Sequence, residues 1–145
     1  MAIPRGIRNN NPLNICRSKD HWQGLSVQQT DALFCQFEKL EYGWRAAFHL
    51  LTRTYYHKYR LYTIRAIINK WAPPNENATS QYVDHVCRLV GMAPDEPIGI
   101  PSDKPERWMM LGVAMAIQEN GTESIDYFAM LRGWGMARVG HGTAP

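Results

Sequence analysis

The segment Tyr42–Tyr56, "YGWRAAFHLLTRTYY", decides the fold class of this chain, because its apolar side chains recur at the spacing of a single helix face. The recurring positions, at i, i+3, i+4, i+7 and i+11, are Trp44, Ala47, Phe48, Leu51 and Tyr55. Such a helix is stable only when its apolar stripe packs against other elements. The segment therefore predicts a helix that lies in the core of a helical domain.

Two more helices are predicted after this segment. In "TIRAIINKW", Thr63 can cap a helix that ends at "APP", because proline cannot continue the hydrogen-bond ladder. The apolar face of that helix consists of Ile64, Ile67, Ile68 and Trp71. The next helix is predicted from about Ser80 to Val90, with Gly91 as its C-terminal cap. Its N-terminal cap would be Asn77 or Thr79.

A fourth helix is predicted to begin in "SDKPERW" and to run to Gly121. Ser102 or Asp103 would cap it, and Glu106, three residues beyond Asp103, has the spacing of a capping box. The following segment, "DYFAMLRGWGMARVG", is compatible with a short final helix.

The N-terminal end has a different pattern. "RNNNPLN", Arg8–Asn14, is typical of turns, because Asn tolerates left-handed backbone and Pro12 fixes its own φ. The best strand candidate is "DALFCQF", Asp31–Phe37, with imperfect alternation. We therefore predict a mainly α fold in a single domain, residues 1–145. It would comprise a small loop and strand region (1–36), a helical core (40–121) and a C-terminal tail (122–145).

The composition fits one ordinary globular domain. The 145 residues are 45% hydrophobic and 20% charged, which is enough apolar material for a core. The formal net charge of +3 favours approach to an anionic surface, but it is too small to identify a cell-wall polymer or a nucleic acid. The widely spaced Cys16, Cys35 and Cys87 are not a disulfide framework. No run approaches the roughly 18 apolar residues of a membrane span.

The stretch "GVAMAIQENGTES", Gly112–Ser124, places Glu119 in the last turn of the fourth predicted helix. Helix C-termini carry negative partial charge, so an acid there is disfavoured by up to about 1 kcal/mol. Apolar surroundings would disfavour the charged form a second time, which suits a general acid that holds a proton near neutral pH. Gly121 would allow a sharp turn and the close approach of a substrate. The residues alone leave open the alternative of an exposed glutamate without a function.

Several segments resemble a family of phage-encoded lysozyme-like proteins, whose members are labelled virion structural proteins or endolysins. The resemblance covers nearly the whole chain to about Gly121, through "RGIRNNNPLNI", Trp22-Gln23-Gly24, "FCQFEKLEYGWRAAFHLL", "TIRAIINKWAPPNENATSQYVDHV" and "AIQENG". One departure is Leu13, which stands where glycine is expected and changes the expected shape of the Asn-rich loop.

The order of the motifs is similar to that of a circularly permuted goose-type lysozyme or lytic transglycosylase. In those enzymes a helix ends in a glutamate and an Asn-Pro-containing loop follows it, whereas here "NNNPLNI" comes first and "QENG" last. Because domain termini often lie close together, such a permutation is physically tolerable. The resemblance implies a peptidoglycan-degrading glycosidase, a muramidase or a lytic transglycosylase, with Glu119 as its general acid and no cofactor. It would cleave the β-1,4 bond between N-acetylmuramic acid and N-acetylglucosamine.

On this interpretation the Asn-rich loop and the region of Glu76 form the walls of a sugar groove. The expected substrate-binding residues are Asn10, Asn11, Asn14, Trp22, Glu76 and Tyr82. The asparagines could equally hold turns, and Glu76 could simply precede a capped helix. A second carboxylate would be Asp20, Asp31, Glu38, Glu41 or Glu76, although enzymes of this kind manage with one dominant glutamate. Gly43 and Arg45 are interpreted as close helix packing and a structural salt bridge, with an arginine directed into the groove as the alternative.

Other functional classes have less support. A Cys–His amidase needs a reactive thiol at a helix N-terminus, and no cysteine here has that position in the predicted elements. A metal site needs clustered ligands, whereas His21, His49, His57, His85 and His141 are scattered. The basic residues are spread along two helices without a stripe, so nucleic-acid binding is not expected. The main alternative is a non-catalytic virion structural or cell-wall-binding protein with the same fold.

The N-terminal "MAIPRGIRNNNP" lacks the apolar segment of a secretory signal. We therefore expect the protein to be made in the cytoplasm of the bacterial host, without membrane insertion. It would reach peptidoglycan, its expected partner, through a holin, a virion or a secretion apparatus. The oligomeric state and the choice between hydrolysis and transglycosylation stay open.

Overall fold

The computed structural model describes residues 3–72 and 75–139 and has a mainly helical fold, which confirms the predicted fold class. Its elements are α1 (Arg5–Arg8), α2 (Leu40–His49), a π-helical segment (Leu50–Lys58) that continues α2, α3 (Ile64–Trp71), α4 (Glu76–Val90), α5 (Pro105–Asn120) and α6 (Tyr127–Arg138). Within these ranges, no helix has both the length and the apolar character that crossing a bilayer would require.

The helix α2 is the element against which much of the core packs. Trp44 and Phe48 stack with their ring centroids 5.5 Å apart, and Trp134 of α6 meets Phe48 edge-on at 5.1 Å. The predicted apolar stripe is confirmed, since Trp44, Ala47, Phe48 and Leu51 are buried and Tyr55 packs partly against the core. The change to π-helical geometry after His49 is not indicated by the sequence, because the apolar spacing suits both kinds of helix.

The predicted end of the third helix is correct, but its beginning is not. Gly91 ends α4 in the left-handed conformation, with φ of 77°, as expected of a C-terminal cap. The helix begins at Glu76 and not near Ser80, because Asn75 caps it by accepting a hydrogen bond from the Ala78 N–H at 3.0 Å. The prediction of Asn77 or Thr79 as the cap is therefore wrong. By contrast, Thr63 caps α3 as predicted, and Pro73 and Pro74 of "APP" lie outside the described residues.

The fourth predicted helix, α5, begins at Pro105 without a side-chain cap. The capping box predicted from Ser102 or Asp103 with Glu106 is therefore wrong. Proline is favoured at the first helical position, because its missing N–H has no partner to lose there. The start of α5 is thus determined by the backbone of proline and not by a capping side chain.

The segment 122–145 contains the predicted final helix, α6, which is 12 residues long. Asp126 caps it by accepting from the Ala129 N–H at 3.0 Å. The helix packs extensively on α2, so this part of the segment belongs to the core. Residues 140–145, including His141, lie outside the described residues.

Turns hold the N-terminal region together. Within Asp31–Phe37 the backbone makes isolated antiparallel bridges at Phe34 and Phe37, and the continuous strand predicted there is wrong. The physical reason is Asp31, whose carboxylate accepts hydrogen bonds from the backbone N–H groups of Leu33 and Phe34, both at 2.9 Å. This local hydrogen bonding closes a turn and competes with strand pairing.

Asp31 also binds two side chains of the N-terminal segment. Arg5 donates to it at 2.6 and 2.7 Å, and Asn9 donates at 2.9 Å. The hydrogen bonding from Arg5, followed by the bonds from Phe34 and Asn9, holds the pKa of the Asp31 carboxyl well below its usual range. One carboxylate therefore ties α1 and the Asn-rich loop to the segment that follows them.

Asp31→Asn is expected to weaken the fold most at neutral pH. Above about pH 4, the ordinary pKa of aspartate, charged Asp31 stabilises the folded chain fully. As the pH falls below that value, the unfolded chain takes up the proton first and this stabilisation is lost. Urea unfolding at pH 7, 4, 3 and 2.5 measures the difference in the free energy of unfolding between wild type and variant. This difference should shrink on acidification, and a constant difference would contradict the role of Asp31.

Two glycines of α6 provide a matched test of the α2–α6 contact. A Cβ on Gly133 would lie 2.3 Å from Trp44 Cβ, whereas a Cβ on Gly135 would meet open space. Gly133→Ala should lower the free energy of unfolding by about 1–3 kcal/mol through overpacking. Gly135→Ala should raise it by about 0.5–1 kcal/mol, because alanine is the better helix former. Chemical denaturation measures the free energy of unfolding of both variants. If the two substitutions change it in the same direction, the proposed α2–α6 packing is contradicted.

Candidate functional site

The C-terminal end of α5 is joined to the Asn-rich loop. Asn120 Nδ2 donates to the carbonyl oxygen of Pro12, 108 positions away, at 2.8 Å. Gly6 of α1 lies against the same place, since a Cβ on Gly6 would be 2.4 Å from Asn120 Oδ1 and 3.0 Å from Asn14 Oδ1. Gly121, in the left-handed conformation with φ of 65°, ends the helix there as the sequence predicted. The last turn of α5 is therefore clamped against the loop.

Glu119 is half-buried at this junction, and its carboxylate accepts hydrogen bonds from two side chains. Asn14 Nδ2 donates to Oε1 at 3.0 Å, and the Tyr82 hydroxyl of α4 donates to Oε2 at 3.0 Å. Asn14 is 105 positions from Glu119 in sequence, and Tyr82 is 37 positions away. The structure thus brings together three of the residues that the sequence singled out, and the two donors orient the carboxylate.

Tyr82 is a buried phenol that serves as a hydrogen-bond donor. Burial, then the nearby charge of Glu119 and the hydrogen bond to it, raise the pKa of Tyr82 well above its ordinary value. The hydroxyl therefore keeps its proton through the neutral range and well into the alkaline range. It can therefore donate to the Glu119 carboxylate at neutral pH.

Asn10 and Asn11, which the sequence assigned to substrate binding, are used by the loop itself. Asn11 is fully buried, and its amide nitrogen donates to the carbonyl oxygens of Ile15 and Cys35 at 3.0 and 2.9 Å. The amide of Asn10 donates to the Phe37 carbonyl at 3.0 Å. Asn11 therefore has a structural role, and its assignment to substrate binding is wrong, whereas the assignment of the partly exposed Asn10 stays a prediction.

The backbone of the same loop directs Asn14 towards Glu119. Asn10 and Asn14 both adopt the left-handed conformation, with φ of 53° and 54°, as the turn-forming tendency of asparagine predicted. The helix α2 comes so close that a Cβ on Gly43 would lie 1.9 Å from the Asn10 carbonyl oxygen. This confirms the close packing predicted at Gly43.

Asn14 also lines a cavity of about 240 Å³. Aromatic side chains of Trp22, Tyr55 and Trp71 contribute to its walls, and Asp20 adds a carboxylate. Apolar walls with a few polar groups are typical of sites for small ligands. Trp22 is 4% exposed, with its ring edge-on to another side chain, so it is a buried wall of the cavity and not the accessible stacking platform that the sequence suggested.

Glu76 lies in a different groove, of about 590 Å³, lined by residues of α3 and by the N-terminal half of α4. Among the described residues, the polar partners of the Glu119 carboxylate are Asn14 and Tyr82, so Glu76 does not contact it. The assignment of Glu76 to the same site has no support from these contacts. The reason is geometric, because Glu76 and Tyr82 occupy different faces of α4.

The candidates for a second carboxylate differ in their surroundings. Asp31 is paired with Arg5, and Glu41 is paired with Arg132 at 3.3 Å. Asp20 lines the same cavity as Asn14. Asp20 is therefore the candidate with the clearest spatial relation to the Glu119 junction.

The sequence did not single out His85 and Gln118, which lie beside the junction. His85 Nδ1 and Gln118 Oε1 are 2.5 Å apart, and both residues line a depression of about 310 Å³ with Thr122 and Glu123. The sequence did contain an indication that these two residues lie near Glu119. His85 is one helical turn after Tyr82, and Gln118 directly precedes Glu119.

Among the residues that the structure describes, Arg45 has no ion-pair partner, so the predicted salt bridge is not found there. The ion pairs within residues 3–72 and 75–139 are Arg5–Asp31, Arg65–Asp95 and Arg132–Glu41. In the same ranges no group of three or more His, Cys, Asp or Glu side chains is arranged to hold a metal ion.

The fold and the junction define a mainly helical protein with a glutamate oriented by an asparagine amide and a tyrosine hydroxyl. No protein-family model matches the chain. Over 136 residues, which are 90% of this chain and 81% of the relative, it is 35% identical to Protein P5 of Pseudoalteromonas phage PM2. The chain belongs to the family of this phage protein.

A double-mutant cycle tests the contact between Tyr82 and Glu119. Tyr82→Phe should lower the free energy of unfolding of the wild type by about 1.5–3 kcal/mol, because a hydrogen bond to a charged group is lost. In the Glu119→Ala background the same change should cost less, with a coupling energy of about 0.5–3 kcal/mol. Tyr62→Phe, at a 45% exposed tyrosine, is the control and should show no coupling. If the effects of Tyr82→Phe and Glu119→Ala on the free energy of unfolding are additive, the contact between the two side chains is refuted.

Proposed function

We propose that this protein is a peptidoglycan-degrading glycosidase, a muramidase or a lytic transglycosylase, with Glu119 as its general acid. The observation that carries the proposal is the carboxyl group of Glu119, oriented by Asn14 and Tyr82, with Asn14 also lining an aromatic-walled cavity. The resemblance of the sequence motifs to phage lysozyme-like proteins supports the same class of activity, and the relative is likewise a phage protein.

In the proposed reaction the Glu119 carboxylate first takes up a proton and then acts as the acid. As the bond between the anomeric carbon and the glycosidic oxygen breaks, Glu119 would donate its proton to that oxygen. The resulting carboxylate would then accept the hydrogen bonds from Asn14 and Tyr82 at their present positions. The two donors are therefore positioning residues that stabilise Glu119 after proton transfer.

The second half of the reaction distinguishes the two enzyme types. A muramidase adds water at the anomeric carbon, whereas a lytic transglycosylase uses a hydroxyl of the muramic sugar itself. Asp20 is our candidate to activate a water molecule, because it shares the cavity with Asn14. Loss of activity in Asp20→Asn together with reducing-end products would indicate hydrolysis.

The alternative is a non-catalytic virion structural or wall-binding protein. The feature that favours it is the surface of α6 and the residue that follows it, where Phe128, Leu131 and Val139 are 75%, 50% and 64% exposed. Phe128 and Leu131 are one helical turn apart on α6, and a contiguous exposed apolar patch often marks a contact surface.

The turbidity of purified cell walls tests the enzymatic proposal. Wild type should clear the suspension, and Glu119→Gln should reduce the rate about 100-fold or more, because the general acid is removed while the shape is kept. Glu123→Gln, an exposed glutamate four positions away, is the matched control and should keep full activity. Asn14→Ala and Tyr82→Phe should give intermediate rates.

Thermal unfolding completes this experiment, since Glu119→Gln should melt close to the wild type. If wild type and Glu119→Gln are equally inert on walls of several types, the enzymatic proposal fails. Sedimentation of both proteins with the walls would then favour the binding role.

A further inference from the structure

Three buried side-chain nitrogen atoms, one of them on a residue that lines the aromatic cavity, have no hydrogen-bond partner among the described residues. They are Trp22 Nε1, Arg45 Nη1 and His49 Nδ1. The rings of Trp22 and His49 are edge-on with centroids 5.5 Å apart. Arg45 and His49 are four positions apart on α2, so they are neighbours on one face of the helix. All three nitrogens can donate a hydrogen bond.

These groups are buried, so the absence of a hydrogen-bond partner among the described residues costs free energy. Arg45 and Trp22 are each only 4% exposed, and all three nitrogen atoms are shielded from solvent. A buried cation without a counter-charge is strongly unfavourable, and buried polar groups in native proteins are normally satisfied. An acceptor that carries negative charge would relieve both problems at once.

The charges around the cluster are mainly positive. Burial first, and then the charge of Arg53, lower the pKa of Arg45. The pKa of His49 is lowered by burial, then by Arg53 and Arg45, and Asp20 acts weakly in the opposite direction. Arg53 donates to the carbonyl oxygen of Ala137 at 2.9 Å, and Asp20 is exposed. The charged side chains that act on these two pKa values are thus two arginines and one exposed carboxylate.

We propose that Trp22, Arg45 and His49 form a binding site for a small monovalent anion, either chloride or a carboxylate of the size of acetate. The anion would accept hydrogen bonds from the three nitrogens and offset the charge of Arg45. A single negative charge matches the single guanidinium that is almost fully buried here. The proposal is independent of the glycosidase activity, because none of these side chains contacts Glu119 among the hydrogen bonds of the described residues.

The position of the site gives the anion a structural role. His49 is the last residue of α2, and the helix continues from Leu50 with π-helical geometry. Trp22 forms part of the cavity wall. A bound anion would therefore stabilise both the transition between the two helix geometries and the wall of the cavity.

Thermal unfolding in a chloride series at constant ionic strength tests the site, with the bulky anion gluconate as the replacement. The melting temperature of the wild type should rise with chloride, by about 4 °C when the anion is in tenfold excess over its Kd. A parallel series with acetate shows whether the site prefers chloride or a small carboxylate. A response to either small anion supports the site, and no response to both overturns it.

Arg45→Met provides the sharpest comparison, because methionine removes the charge and keeps an aliphatic side chain. In gluconate the variant should melt at a higher temperature than wild type, since it lacks the uncompensated cation. As chloride or acetate increases, this advantage should shrink or reverse. Arg88→Met, at an exposed arginine, is the control and should keep the wild-type response. An advantage of Arg45→Met that stays constant in all anions would overturn the proposal.

Chloride-35 NMR adds a direct readout that does not depend on unfolding. Wild type should broaden the chloride line, acetate should compete if it shares the site, and Arg45→Met should abolish the broadening. Trp22→Phe, which removes only the indole donor, should weaken it. Equal broadening by wild type and Arg45→Met would place chloride elsewhere and refute the site.

Discussion

The clamp between the last turn of α5 and the Asn-rich loop is the constraint on which the candidate site depends. Asn120 holds the Pro12 carbonyl, and the missing side chain of Gly6 lets α1 approach the same helix end. Asn14 can reach the Glu119 carboxylate only because the loop lies there. Without the clamp, Glu119 would be an isolated acid at the negative end of a helix.

The helix α2 connects this clamp to the rest of the molecule. One side of it approaches the loop at Gly43, and another carries Trp44 and Phe48 into contact with α5 and α6. Its polar residues Arg45 and His49 carry buried nitrogen atoms, and the proposed anion would complete their hydrogen bonding. Core packing, the glutamate site and the proposed anion site thus all involve α2, although they serve different purposes.

Local patterns predicted the helices well and their beginnings less well. The apolar periodicity around Trp44 identified the central helix, and Gly91 and Gly121 marked helix ends because glycine readily adopts left-handed backbone. Several capping residues often compete within a few positions, and Asn75 caps α4 where Asn77 was expected. The segment at Asp31 failed as a strand for a similar reason, since its carboxylate bonds to nearby backbone groups.

Local residue patterns were sufficient to predict the mainly helical class, the position of Glu119 at a helix end and the turn-forming character of the asparagines. Contacts between distant segments, in contrast, select the asparagine that reaches Glu119, make Tyr82 its second partner, and leave Arg45 buried without an ion pair to the described residues. The physical reason is the range of the interactions. Helix periodicity and left-handed turns depend on neighbours within a few positions, whereas the two contacts of Glu119 span 37 and 105 positions.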